Sequence, residues 1–167
     1  MAGIPSARVH ATGECRSVVE EGDGRVMPAQ WAHGVMWAPA PVPVTPWRGQ
    51  ESWTLDGLPK SIRLIALPGH SPGHVGVLVD DALRGQELLH IGDAIHHHTQ
   101  LTRTAPPAVE AFAVSVQHDA TAGLRTRRLL AELVGEGSVR LVNSHDPEPV
   151  DRTGQPGTAW HHGAERC

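Results

Sequence analysis

Residues 61–79 read Ser61-Ile62-Arg63-Leu64-Ile65-Ala66-Leu67-Pro68-Gly69-His70-Ser71-Pro72-Gly73-His74-Val75-Gly76-Val77-Leu78-Val79. Two runs rich in β-branched and aliphatic residues, 61–67 and 75–79, flank Pro68 to His74, and this pattern predicts two strands joined by a histidine-bearing turn. Proline fixes φ and glycine admits backbone paths closed to other residues. The turn can therefore hold an imidazole at a defined angle, which is what a metal ligand needs.

Outward from this turn, apolar runs keep ending in polar stops. Glu87-Leu88-Leu89-His90-Ile91 predicts a buried strand whose end presents Gly92-Asp93, and Ser138 to Val142 predicts a last strand delivering Asn143-Ser144-His145-Asp146. Between them Pro106 opens a helix to Val116. Asp119 caps a second helix to about Val134, with Leu124, Leu129, Leu130 and Leu133 as its buried face and Gly135 to Gly137 as its stop. Upstream, Ala7 to His10 suggests a short strand and Glu14 to Glu20 a helical turn or two. Residues 28–50 hold Pro28, Pro39, Pro41, Pro43 and Pro46 with Trp31, Trp37 and Trp47, and predict a Pro/Trp-rich loop without helix or ladder. The order of elements predicts an α/β fold in a single domain over 1–167, with a flexible tail at 151–167.

A chain of 167 residues can bury a core of its own. The net charge of -4 and 14 scattered Lys and Arg, with no cluster longer than Arg127-Arg128, argue against nucleic acid or an anionic membrane as partner. Cys15 and Cys167 form no C-x-x-C pair, so neither a disulfide framework nor a thiolate site is indicated. Met1 to Pro5 lacks a basic region followed by an apolar run, and a cytoplasmic chain that does not span a membrane is expected. Twelve histidines against one Phe and no Tyr raise the prior for a metal. Taken singly, His70 in a turn or Asp93 after glycine is an ordinary turn residue. Three such residues at the ends of different strands can be brought together by one sheet.

In their order, His70, Asp93 and His145 resemble ligands of the metallo-β-lactamase superfamily. There the histidine of a P-G-H-[ST]-P-G-H turn binds one zinc, an aspartate after a strand bridges two, and a histidine after a late strand binds the second. The likeness covers roughly residues 50 to 150. Gly92 to Leu101, and His118-Asp119-Ala120 followed by Thr126 to Leu130, look like the branch containing lactonases and organophosphate hydrolases. The resemblance implies an αββα sandwich, incomplete here, with this chain supplying mainly the second sheet and its helices. It also implies one or two Zn2+ ions, metal ligands His70, Asp93 and His145, a catalytic role for the bridging Asp93, and a small-molecule ester, lactone or phosphoester hydrolysed by metal-activated water.

One departure from the family pattern is large. Its H-x-H-x-D-H segment, expected upstream of His70, is absent, and so is the tyrosine that lactonase-like members often place near the metals. The nearest arrangement, His96 to His98, lies after Asp93 and reads as loop residues near the site. Each ion would keep two of the trio's donors, so weak metal binding is expected, with the remainder supplied by a complementing polypeptide. Ser71, His74 and Asp146 are candidates to orient the ligands. The sheet's inner face predicts self-association if nothing else covers it. The alternative reading is a non-catalytic remnant, or a small-molecule or partner-binding module that uses the Trp31 to Trp47 loop, its metal site vestigial.

Overall fold

The computed structural model describes residues 7–22, 24, 26–81, 85–102 and 104–145. The expected tail at 151–167, Asp146 and Cys167 lie outside them. Along the described chain run α1 (Gly13–Glu21), α2 (Pro28–Trp31), β1 (Val42–Trp47), β2 (Gln50–Thr54), β3 (Ile62–Ala66), β4 (Val75–Asp81) and β5 (Gln86–His90). After them come α3 (Thr99–Thr102), α4 (Pro107–Ser115), α5 (Ala120–Glu136) and β6 (Val139–Val142).

The strands form one mixed sheet in the order β1-β2-β3-β4-β5-β6. The first five make an antiparallel meander, and only β6 pairs in parallel, with β5, after the chain has passed through α3, α4 and α5. β4 runs against both neighbours, so β3, β5 and β6 all point the same way. Their C-terminal ends lie along one edge of the sheet.

Alternation along each strand sends Ile65, Leu78, Leu89 and Leu141 to one face, where all four are fully buried. Leu130 and Leu133 of α5 and Leu101 of α3 close over them. Each such side chain contributes about 1.5–3 kcal/mol by leaving water, which makes this α/β layer the seat of the core. On the opposite face Trp53, Ile62, Val75, Val79, Leu88 and Val142 are half-buried, Leu64 is buried and Val77 is 36% exposed.

The α/β expectation holds, and so do the predicted strands at 61–67, 75–79, 87–91 and 138–142. Asp119 caps α5 by accepting from the Ala122 amide at 2.9 Å, and Gly137 ends it in a left-handed conformation. Three readings need correction. Residues 28–50 are not all loop: Pro28–Trp31 is a turn of helix, Val42–Trp47 is strand β1, and β2 begins at Gln50. The prolines are tolerated because β1 is the sheet's outer strand and its register shifts between Val44 and Trp47, around Pro46. The short strand expected at Ala7 to His10 is a single parallel bridge between Val9 and Trp37. Leu124 is 51% exposed, because the buried face of α5 runs through Ala122, Thr126, Leu130, Leu133 and Val134.

Candidate metal centre

His70 sits in the turn between β3 and β4, and that turn is clamped from two sides. On one side, Gly69 (φ 137°) packs so tightly against the backbone of Gly123 in α5 that no Cβ would fit between them. The Gly69 carbonyl accepts from the amides of His118 and Asp119, both at 2.9 Å, and the Thr126 hydroxyl donates to the Pro68 carbonyl at 2.7 Å. On the other side, Gly73 (φ 66°) lies against the start of α1, where the Thr12 hydroxyl donates to its carbonyl at 3.1 Å and also caps the helix. Both glycines are thus required by close backbone approach as well as by positive φ. The His118-Asp119-Ala120 segment singled out in the sequence acts here through its backbone, which grips the turn carrying His70.

Asp93 and His145 follow the adjacent parallel strands β5 and β6. Their loops are tied by Ile91 donating to Val142 at 2.8 Å and Ser144 donating to Gly92 at 3.1 Å, while the Asn143 side chain accepts from the His145 amide at 2.8 Å. The three residues meet at the common sheet edge. His70 Nε2 stands 3.6 Å from Asp93 Oδ2, and His145 Nε2 stands 3.4 Å from Asp93 Oδ1. One carboxylate therefore offers a different oxygen to each imidazole.

Burial works to raise the Asp93 pKa, but the Ser144 side-chain hydrogen bond and the nearby His145, His70 and His74 outweigh it and hold the carboxyl below its ordinary value. It is an anionic donor at neutral pH. The His74 Nδ1–H donates a hydrogen bond to the Leu67 carbonyl at 2.8 Å, which fixes its tautomer, and burial lowers its pKa against the opposing effects of that bond and of Asp93. Its ring stands edge-on to His70, 5.6 Å between centroids, and its Nε2 lies where a side chain on Gly92 would have to go. Ser71 closes the turn through its backbone, its carbonyl accepting from the His74 amide at 3.2 Å.

Of the three consecutive histidines after Asp93, His96 reaches the site. Its ring stacks on His145 at 4.8 Å, stands edge-on to His70 at 5.9 Å, and receives Phe112 of α4 edge-on at 5.1 Å. His97 and His98 pack on each other instead, their rings tilted by 33° at 4.2 Å. Spacing alone could not single out His96, although Gln100 four residues on was a usable signal. The buried Gln100 side chain accepts from the amides of His96 and His97 at 2.7 and 3.1 Å.

The donors suit a divalent ion in kind, and two ligands of a tetrahedral zinc are about 3.4 Å apart, close to the spacing on either side of Asp93. Each side supplies two donors. Among the described residues no group of three or more His, Cys, Asp or Glu converges as a metal-holding set. Among the described residues the trio is a shared carboxylate with one imidazole on either side.

No protein-family model matches the chain. Two curated relatives, from Mycobacterium bovis and Mycobacterium tuberculosis and both named "Probable metallo-hydrolase", are each 35% identical to it over 107 residues, covering 60% of this chain. The chain spans about a third of the length of these relatives, 34%. Among solved structures it is similar to an N-acyl homoserine lactone hydrolase with N-hexanoyl-L-homoserine bound at its catalytic metal centre, at 21% identity and a TM-score of 0.41, over 53% of this chain and 32% of that one. The resemblance read from the motifs is thus matched by curated relatives named metallo-hydrolase. None of the helices in the described residues is long and apolar enough to cross a membrane.

Proposed function

We propose that this chain carries the His70, Asp93 and His145 ligands of a zinc-dependent metallo-hydrolase of the metallo-β-lactamase fold, acting on an ester, lactone or phosphoester. The observation that carries this reading is the Asp93 carboxylate facing an imidazole Nε2 on each side at 3.4 and 3.6 Å. A bound divalent ion supplies Lewis acidity and an activated water to such a site. The chain's own residues do the rest of what can be derived. Asp93 stays ionised and shared, His70 is fixed by the clamped turn, and His145 is brought beside Asp93 by the β5–β6 pairing. The half-buried apolar face of the sheet is the surface on which a complementing polypeptide or a second copy would pack while supplying the other donors.

Equilibrium dialysis against Zn2+ tests this. Wild type should bind weakly, and Asp93→Asn should lose more affinity than either His70→Ala or His145→Ala, because it alone serves both flanks. Equal binding by wild type and Asp93→Asn would sink the assignment. Two donors per flank is also what a non-catalytic remnant would show. Hydrolysis of a lactone or phosphotriester that is lost in Asp93→Asn separates the enzyme from the remnant.

A further inference from the structure

His70 and His145 are held in unequal ways. The turn around His70 is pinned at its backbone on both sides, whereas His145 lies just past the end of β6 with a side chain 45% exposed. Its contact with Asp93, at 3.4 Å, is longer than a good hydrogen bond to a carboxylate. What lies flat against the His145 ring is His96, at 4.8 Å and 25° between planes.

The His96 backbone is held in place, and its ring, whose buried Nδ1 has no hydrogen-bond partner among the described residues, is positioned by ring contacts. Gln100 Oε1 fixes its amide, and the Arg127 Nε–H donates to the Gln100 backbone carbonyl. The same Arg127 makes a two-pronged pair with Glu110, 2.6 Å at each contact, which anchors α4, the helix whose Phe112 ring meets His96. A single arginine from α5 thereby fixes both the loop that carries His96 and the helix that walls it in. Phe112, 54% exposed, has its ring edge-on to His96. A chain of ring contacts thus runs from Phe112 through His96 to His145, whose Nε2 faces Asp93.

We propose that His96 is a positioning residue. Its ring, braced by Phe112 and by the Gln100–Arg127–Glu110 relay, presets the His145 imidazole toward Asp93 before any ion arrives. The contribution is a flat face and not a donor atom, so phenylalanine should replace it and alanine should not. Presetting matters because a ligand already in its bound rotamer loses less side-chain entropy on binding. The effect on metal affinity rests on the proposed metal site; the effect on the ring itself does not.

Two measurements on the folded chain test this, with circular dichroism confirming that each variant keeps its fold. In metal-free protein, the His145 ring protons should show upfield ring-current shifts by NMR, retained in His96→Phe and lost in His96→Ala. In Co2+ titrations followed by absorption, His96→Ala should weaken binding about tenfold, the lower end of what removal of a ligand-orienting partner costs, with His96→Phe within about threefold of wild type. His145 ring protons already at solvent-exposed values in wild type would overturn the proposal, whatever the metal does. So would Co2+ affinity equal in His96→Ala and wild type, or lost equally in His96→Ala and His96→Phe, the latter marking His96 as a donor. Absence of Co2+ binding by wild type, with the shifts as expected, would count against the metallo-hydrolase reading and leave the ring placement standing.

Discussion

Replacing Gly69 by alanine should loosen the turn that holds His70. An added Cβ would run into the Gly123 Cα and lie 2.5 Å from its amide nitrogen, both backbone atoms of α5 that no rotamer change can move. A φ of 137° is also a conformation that L side chains rarely adopt, worth about 1–3 kcal/mol of strain where it is forced. Overpacking adds about 1–3 kcal/mol. Relief requires α5 to move away from the turn, which strains the amide contacts from His118 and Asp119 to the Gly69 carbonyl. The combined cost should be at least about 2 kcal/mol. Urea unfolding followed by tryptophan fluorescence reads this directly, since Trp31, Trp37, Trp47 and Trp53 lie in the described fold and an m-value of about 2 kcal/mol/M converts 2 kcal/mol into a midpoint shift of about 1 M. The control is Gly135→Ala, also in α5, where nothing lies within 4 Å and alanine should be neutral or stabilise by up to about 1 kcal/mol. A Gly69→Ala midpoint indistinguishable from wild type, or no different from Gly135→Ala, would refute the clamp.

Asp119→Ala removes the side-chain cap of α5 and should cost about 1 kcal/mol in the same assay; Asp119→Asn, which can still cap, should recover most of it. The hydrogen bond from Arg127, reinforced by its charge and opposed by burial, holds the Glu110 pKa below its ordinary value. The pair therefore stabilises the fold above the unfolded-chain pKa of about 4.3, and that stability is lost as pH falls through the lower folded value. Glu110→Gln should flatten this acid-side slope. With Glu110 about a third exposed the effect at neutral pH should stay under about 1 kcal/mol, and an unchanged acid slope in the variant would show the pair to be energetically silent.

The elements nearest the site were the most legible, because β3, β5 and β6 lie in short apolar runs that end at Leu67, Ile91 and Val142 and are stopped by Pro68-Gly69, Gly92-Asp93 and Asn143. Local pattern could place His70, Asp93 and His145 at strand ends. It could not order the strands, and only the order puts three co-directional ends on one edge. The β1–β2 hairpin was illegible for a different reason. Proline normally argues against a ladder, and the exception for an outermost strand depends on which strand is outermost. Leu124 misled because a helix's buried stripe is decided by the sheet beneath it, and leucine contributes to the exposed side of α5 as well. His96 stood hidden among three like neighbours until Gln100, Arg127 and Phe112 fixed its place.

The meander from β1 to β5 can be laid down hairpin by hairpin, each strand closing on the one just before it. β6 closes only after the chain has travelled from His90 to Val139. Loop-closure entropy makes that pairing the most demanding in the sheet, and parallel pairs return slightly less per residue than antiparallel ones. The β3–β4 pairing that carries His70 is local, although its turn is gripped by distant residues of α1 and α5, while the β5–β6 pairing that places His145 waits on a long-range encounter. The strand pairings on the two sides of Asp93 thus differ in contact order, and the β5–β6 pair is expected to form late in folding.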